Sequence, residues 1–330
     1  MSEQFNYKSP LAPYMNGLVA GKNASGCTWL RGKWICREID KFYLAEGITD
    51  ATITTDIVEK WRLTRVADSK RTIYAKYNIW QQLARYMNRN GVRCYVPPMP
   101  SCPRFSNYSP YIFTREQMHQ IFEESNKLTL HNANRNNSVM AIPALIRFLY
   151  STGVRISEAL SIQNCDLHLE EGYILLRKTK NGHERLVAVN ESLKSVLLEY
   201  ISYRNTINSC LSGPFNLLFV KADGSSISQN AVYCWFKRLL KFCGIPHIGN
   251  HQGPRVHDLR HTGACHSLAK MARAGKDLYV VLPILQEWLG HRSIDASERY
   301  LRLTSDLYPD LREKMTAIEK IIKLEYANEK

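Results

Sequence analysis

The chain has 330 residues, with 44 Lys and Arg against 30 Asp and Glu, a formal net charge of +14. That length allows two domains with real cores, and the basic excess suits a polyanionic partner better than an acidic small molecule, since each neutralised phosphate releases counterions. No apolar run approaches the ~18 residues of a spanning helix, and the polar start carries no export signal, so a soluble, cytoplasmic protein with no membrane partner is expected.

Along the chain, residues 28–46 carry apolar positions at Ile35, Ile39, Phe42 and Tyr43, a helical stripe ending at Gly47. A short helix is expected after Thr55. Residues 69–90 place Ile73, Tyr77, Trp80, Ala84 and Met87 on one face, with cations around it and Gly91 as a stop. Lys70, Arg71 and Lys76 on this helix are candidate contacts to a polyanion's phosphates.

Residues 94–110, CYVPPMPSCPRFSNYSP, hold five prolines in seventeen positions, which no helix tolerates. The expected organisation is a helical domain over residues 1–94, a proline-rich linker over 95–110 and a second domain over 111–330. The second domain opens on TREQ, where Thr114 and Gln117 fit a capping box.

Within it, YILLRKTKNGHERLVAV reads as two strands around an Asn181-Gly182 turn, with Lys180 beside the turn. Helices are expected over 191–203, over 228–243 capped by Gly244, and after Pro254. Leu311, Met315, Ile318 and Ile322 make an amphipathic tail. The fold class is therefore mainly α with a small β-hairpin, α+β. The nine cysteines, at 27, 36, 94, 102, 165, 210, 234, 243 and 265, are odd in number and never spaced C-x-x-C, which speaks for reduced thiols.

Chemistry-bearing groups follow in order. TGVRISE puts Arg155 after a glycine break. HDLRH sets His257 and Arg260 three apart, on one helical face. LGH ends on His291, and Tyr300 stands nine residues beyond it. Each has a bland alternative: a surface arginine, or a packed histidine at 261 or 266. His257, His261 and Cys265 also have the spacing of a zinc site, although the acidic base of an H-E-x-x-H motif is missing.

The ordered set Arg155, Lys180, His257, Arg260, His291 and Tyr300 resembles the active site of the tyrosine recombinases, the phage-integrase family. The resemblance covers residues 111–330 well and the first hundred in outline. It implies a helical N-terminal core-binding domain that clamps double-stranded DNA together with a tyrosine-recombinase catalytic domain. It further implies that Tyr300 attacks the scissile phosphate and becomes a 3′-phosphotyrosine, that Arg155 and Arg260 hold the non-bridging oxygens and His291 adds a bond. Lys180 would protonate the leaving 5′-oxygen, and His257 would assist proton transfer at the tyrosine.

No metal or other cofactor is expected. Inverted-repeat core sites, a monomer in solution, a homo-tetramer on DNA, a Holliday junction and association with the bacterial nucleoid are the family's implied partners and setting, with a mobile genetic element as the preferred role. A directionality factor, and whether the C-terminal helix docks in cis or in trans, stay open. A type IB topoisomerase-like nicking-resealing enzyme and a non-catalytic DNA-binding relative are the alternatives.

Overall fold

The computed structural model describes residues 5–27, 29–101, 109–129, 137–177, 184–249, 253–290, 300, 301, 303, 304, 308 and 311, with the backbone alone at 278 and 279. The chain divides into two compact units, residues 1–108 and 109–330. Among the described residues it is mainly helical, with one three-stranded antiparallel sheet.

The first unit holds α1 (Ala12–Ala24), α2 (Leu30–Ala45), α3 (Thr55–Leu63) and α4 (Lys70–Arg89). Thr54 and Ser69 cap α3 and α4 by accepting from the amides of Ile57 and Thr72, which satisfies donors that an uncapped first turn leaves orphaned. Leu11, Met15, Ile39, Tyr43, Trp61, Trp80 and Leu83 fill the core, with the Trp61 and Trp80 rings edge to face at 5.5 Å. The buried Asp40 carboxylate accepts from the amides of Lys8 and Ser9 at 2.9 and 2.8 Å and pins the first segment to α2.

The second unit contains α5 (Arg115–Asn126), α6 (Ile142–Thr152), α7 (Ile156–Ala159), β1 (Leu167–His168), β2 (Tyr173–Leu176), β3 (Arg185–Ala188), α8 (Glu191–Ile207), α9 (Gln229–Phe242), α10 (Val256–Arg273) and α11 (Leu278–Leu289). The expected capping box at Thr114 and Gln117 is present in both directions. Strands β2 and β3 pair from Tyr173 with Ala188 to Leu176 with Arg185, and β1 adds a short edge. The Lys180 turn lies outside the described residues, as does the amphipathic tail beyond Leu311, which is itself buried.

Helix α10 runs through the middle of this unit, with Leu259, Arg260, Ala264, Cys265 and Leu268 at 2% exposure or less. It packs closely on α6: a Cβ at Gly263 would lie 2.2 Å from the Tyr150 carbonyl oxygen, so no larger residue fits without moving a backbone. Thr262 accepts from the Phe113 amide at 3.1 Å, tying the start of the unit to the same helix.

Candidate active site

Helix α6 ends at Gly153, whose φ of +62° suits glycine and whose Cα lies so near Trp288 that a Cβ would sit 2.9 Å from the indole. Two residues on, Arg155 caps the short α7. Its backbone amide donates to Glu158 Oε2 at 2.9 Å and its Nη1 donates to Glu158 Oε1 at 2.7 Å. Glu158 is 1% exposed. Burial alone raises its pKa, but the bonds from Arg155 and the charges of Arg185 and Arg155 outweigh that and hold it below the usual carboxylate range. Glu158 thus braces Arg155.

Arg260 rises from the first turns of α10 and is 2% exposed. Its Nη1 donates to the Gly153 carbonyl and its Nη2 to the Leu289 carbonyl at 2.7 Å. Burial, joined by the like charges of Arg155 and Arg185, pushes its pKa down to about 10, against the opposing influence of Tyr300 and Glu158. It therefore stays charged at neutral pH.

His257, one turn before Arg260, keeps an exposed face although packed groups surround its ring. That crowding, then the charges of Arg260, Arg255 and Arg155, pushes its pKa down to about 4, with Glu158 opposing. The exposed face tempers the size of the shift, not its direction. His257 is a neutral imidazole at pH 7.

The His257 ring meets His261 edge to face at 4.9 Å, and the His261 ring lies 5.5 Å from Tyr300, tilted by 36°. Tyr300 is 2% exposed and packs in a cluster with Ala264, Cys265, Leu268 and Leu301. Arg155, His257, Arg260 and Tyr300, far apart in sequence, are thereby brought to one place. Lys180 and His291 lie outside the described residues.

Two side chains beyond the expected set belong to this cluster. His261 sits between His257 and Tyr300, where the sequence alone gives a packed histidine. Arg185, on β3, reaches both Glu158 and α11, and no local pattern marks it. The zinc spacing does not resolve into a ligand set: among the described residues no three His, Cys, Asp or Glu side chains converge, and the Cys265 thiol is buried, its pKa pushed up to about 12. In the first unit Lys70 and Arg71 are exposed. Lys76 differs from them: it is 8% exposed and bonded to Glu38 at 2.7 Å and Asp68 at 2.8 Å, and those carboxylates compete with a phosphate for its charge.

The sequence signature of the phage integrase family matches residues 112–306, more than half of the chain. The chain belongs to that family. Among its relatives, a putative integrase/recombinase of Sinorhizobium fredii, y4rB, is 25% identical over 271 residues, covering 81% of this chain and 84% of that protein. The tyrosine recombinase XerC of Thermodesulfovibrio yellowstonii is 35% identical over 159 residues, 48% of each chain. XerD of Chlorobaculum tepidum is 29% identical over 202 residues, 61% of this chain and 60% of the relative. These two Xer matches span about half to three-fifths of those proteins, whereas XerD of Rickettsia prowazekii is 26% identical over 308 residues, 89% of this chain and 92% of that protein.

Solved phage-integrase folds are similar in architecture. A lambda integrase dimer bound to a core site gives a TM-score of 0.59 at 15% identity, over 87% of this chain and 94% of that one. The XerH site-specific recombinase in its post-cleavage complex gives 0.59 at 21% identity, over 85% and 77%. At such identities the likeness carries the fold.

Proposed function

We propose that this phage-integrase family member is a site-specific DNA recombinase that cleaves and rejoins strands through a 3′-phosphotyrosyl intermediate at Tyr300. The observation that carries the reading is the surroundings of Arg260, a buried, charged guanidinium whose electrostatic neighbours include Tyr300, Arg155 and Glu158. A phosphodiester bound there meets two arginines that keep their charge at working pH, beside a phenol and a neutral imidazole.

A phenol ionises near pH ~10 and is a weak nucleophile unless its proton has somewhere to go. In the proposed step the Tyr300 proton passes towards His257, the phenolic oxygen bonds to phosphorus, and the bond from phosphorus to the 5′-oxygen breaks. Lys180 supplies the proton to that oxygen, and Arg155, Arg260 and His291 hold the charge on the non-bridging oxygens. Since Tyr300 is 2% exposed, attack requires its turn to shift towards the phosphate. The phosphotyrosine keeps the phosphodiester energy, so rejoining needs no ATP.

The solved relatives support a DNA partner: they include a lambda integrase tetramer bound to a Holliday junction and XerH bound to a palindromic substrate. By that likeness the first unit grips DNA as a core-binding domain with Lys70 and Arg71 towards phosphate. Inverted-repeat sites, a tetramer assembled on DNA from monomers, and a role for a mobile genetic element complete the reading.

The test is incubation with DNA from the flanks of its own gene, in excess chelator, followed by mapping of any covalent adduct. Wild-type protein and Tyr308→Phe should form a protease-sensitive adduct, whereas Tyr300→Phe should bind DNA and form none. An adduct that survives in Tyr300→Phe, or activity that chelator abolishes and zinc restores, overturns the mechanism. Relaxation of supercoiled circles without exchange of partners would assign the chain to nicking and resealing instead.

A further inference from the structure

Arg185 stands where three parts of the second unit meet. It lies on β3 opposite Leu176, its side chain 11% exposed. Its Nη2 donates to Glu158 Oε2 at 3.0 Å, and its Nη1 donates to the Trp288 carbonyl at 2.6 Å. Glu158 therefore carries two guanidinium groups, Arg155 on Oε1 and Arg185 on Oε2. The helix end receives two as well: Arg185 takes the carbonyl of Trp288, and Arg260 that of the next residue, Leu289. The last carbonyls of a helix carry partial negative charge and lack helical partners, so cations bonded there are favoured.

The backbone that follows is shaped around the same side chain. Gly290 has a φ of +63°, and a Cβ there would lie 3.0 Å from Arg185 Nε and 3.2 Å from Cζ. Glycine at 290 lets the chain turn in the left-handed region directly against the guanidinium. Arg185 Nε is buried with no hydrogen-bond partner among the described residues. A buried donor left unpaired costs stability, so the fork is held here by what its other two nitrogens bind.

We infer that Arg185 is a positioning residue for strand cleavage: by sharing Glu158 it fixes the direction of Arg155, and by holding Trp288 it locks α11 and the Gly290 turn to the same point. The inference rests on the recombinase reading above. Without the second guanidinium, Glu158 Oε2 keeps only the Arg155 amide, and the carboxylate that aims the Arg155 side chain at a phosphate oxygen is held less rigidly. Small displacements of such a group are costly, because the clamp works only when its donors already face the developing charge.

Arg185→Met and Arg185→Lys test this in single-turnover cleavage by the full-length protein, with DNA affinity and melting measured beside it. The substrates are two: one with an ordinary scissile phosphate, one with a neutral methylphosphonate there, which has less charge for Arg155 to clamp. Arg185→Met should bind DNA within about twofold of wild type yet cleave the phosphate roughly 10- to 100-fold more slowly. The deficit should shrink severalfold on the methylphosphonate, and Arg185→Lys, which keeps the charge and loses the fork, should fall between.

A variant that cleaves as fast as wild type, or shows the same deficit on both substrates, overturns the positioning role; equal deficits would mark a merely structural arginine. Should Arg185→Met fail to fold, the same comparison is made with Arg185→Lys and decides the matter. No adduct from wild-type protein on either substrate would overturn the recombinase reading itself, and this inference with it.

Discussion

Arg260 donates to the Leu289 carbonyl at 2.7 Å, so the arginine from α10 holds the last turn of α11, the helix that leads towards Tyr300. Its other nitrogen holds the Gly153 carbonyl, two residues before Arg155. One buried fork therefore joins the two chain segments that flank the candidate site.

Arg260→Lys should accordingly damage both stability and cleavage. A lysine retains the charge but has one ammonium, which cannot bridge both carbonyls. The carbonyl left unpaired in the interior should cost about 1–3 kcal/mol. Denaturant unfolding and single-turnover cleavage, measured on the same preparation, check the two effects. A variant as stable as wild type would show that these bonds do not organise the site.

The regions most readable in the sequence are those where one face is buried and the other solvated. Helix α4 has its apolar stripe, its Ser69 cap and its stop at Gly91, and the strands around Asn181-Gly182 alternate. Helix α1 is harder to read because Gly17 and Gly21 weaken its helical signal. Gly17 faces a tertiary neighbour: a Cβ would lie 2.2 Å from the Tyr86 hydroxyl, which would have to move. Helix α6 is buried at Ile142, Ala144, Leu145, Ile146, Phe148 and Leu149, which leaves little polar face to mark a period. Helix α11 is apolar through most of its length and contains Pro283.

At the site, the order of Arg155, His257, Arg260 and Tyr300 is a pattern along the chain, so it can be recognised before any fold is known. The place of Arg185 cannot, because its partners lie 27 residues before it and 103 after it. Lys76 shows the converse. Its position on a basic helix suggests a phosphate, but Glu38 and Asp68 come from other segments to bind it.

His266 gives a pH prediction. It is 4% exposed, its Nδ1 lies 2.8 Å from the Tyr150 hydroxyl, and its pKa is pushed down from 6.5 to about 4. Burial is the main cause and the Arg115 charge adds to it, while the bond to the Phe113 backbone and Glu116 oppose it. Above pH ~6.5 neither the folded nor the unfolded chain protonates this histidine, so it adds no slope. As pH falls from there towards about 4, the unfolded chain gains a proton that the folded one refuses. Stability is lost through that window, by on the order of 3 kcal/mol in total. His266→Gln keeps an acceptor for Tyr150 and cannot titrate, so its unfolding free energy should fall less steeply between pH 7 and 4. Parallel curves for the two proteins would remove His266 from the acid response.

Lys180 lies in the connection between two anchored strand ends. Just after β2, Arg177 Nε donates to the buried Asp166 carboxylate at 2.5 Å, and at the start of β3 Arg185 is held by Glu158. Lys180 itself lies outside the described residues, and its proposed role is to protonate the leaving 5′-oxygen. An acid at that position is worth roughly 10²–10⁴-fold, and Lys180→Ala should slow cleavage by a factor in that range. A substrate with sulfur in place of the bridging 5′-oxygen releases a far better leaving group that needs no proton. On it the variant should recover most of the lost rate, while DNA affinity stays near that of wild type on either substrate. If Lys180→Ala is equally impaired with oxygen and with sulfur, the lysine serves binding or folding, and another group must protonate the 5′-oxygen.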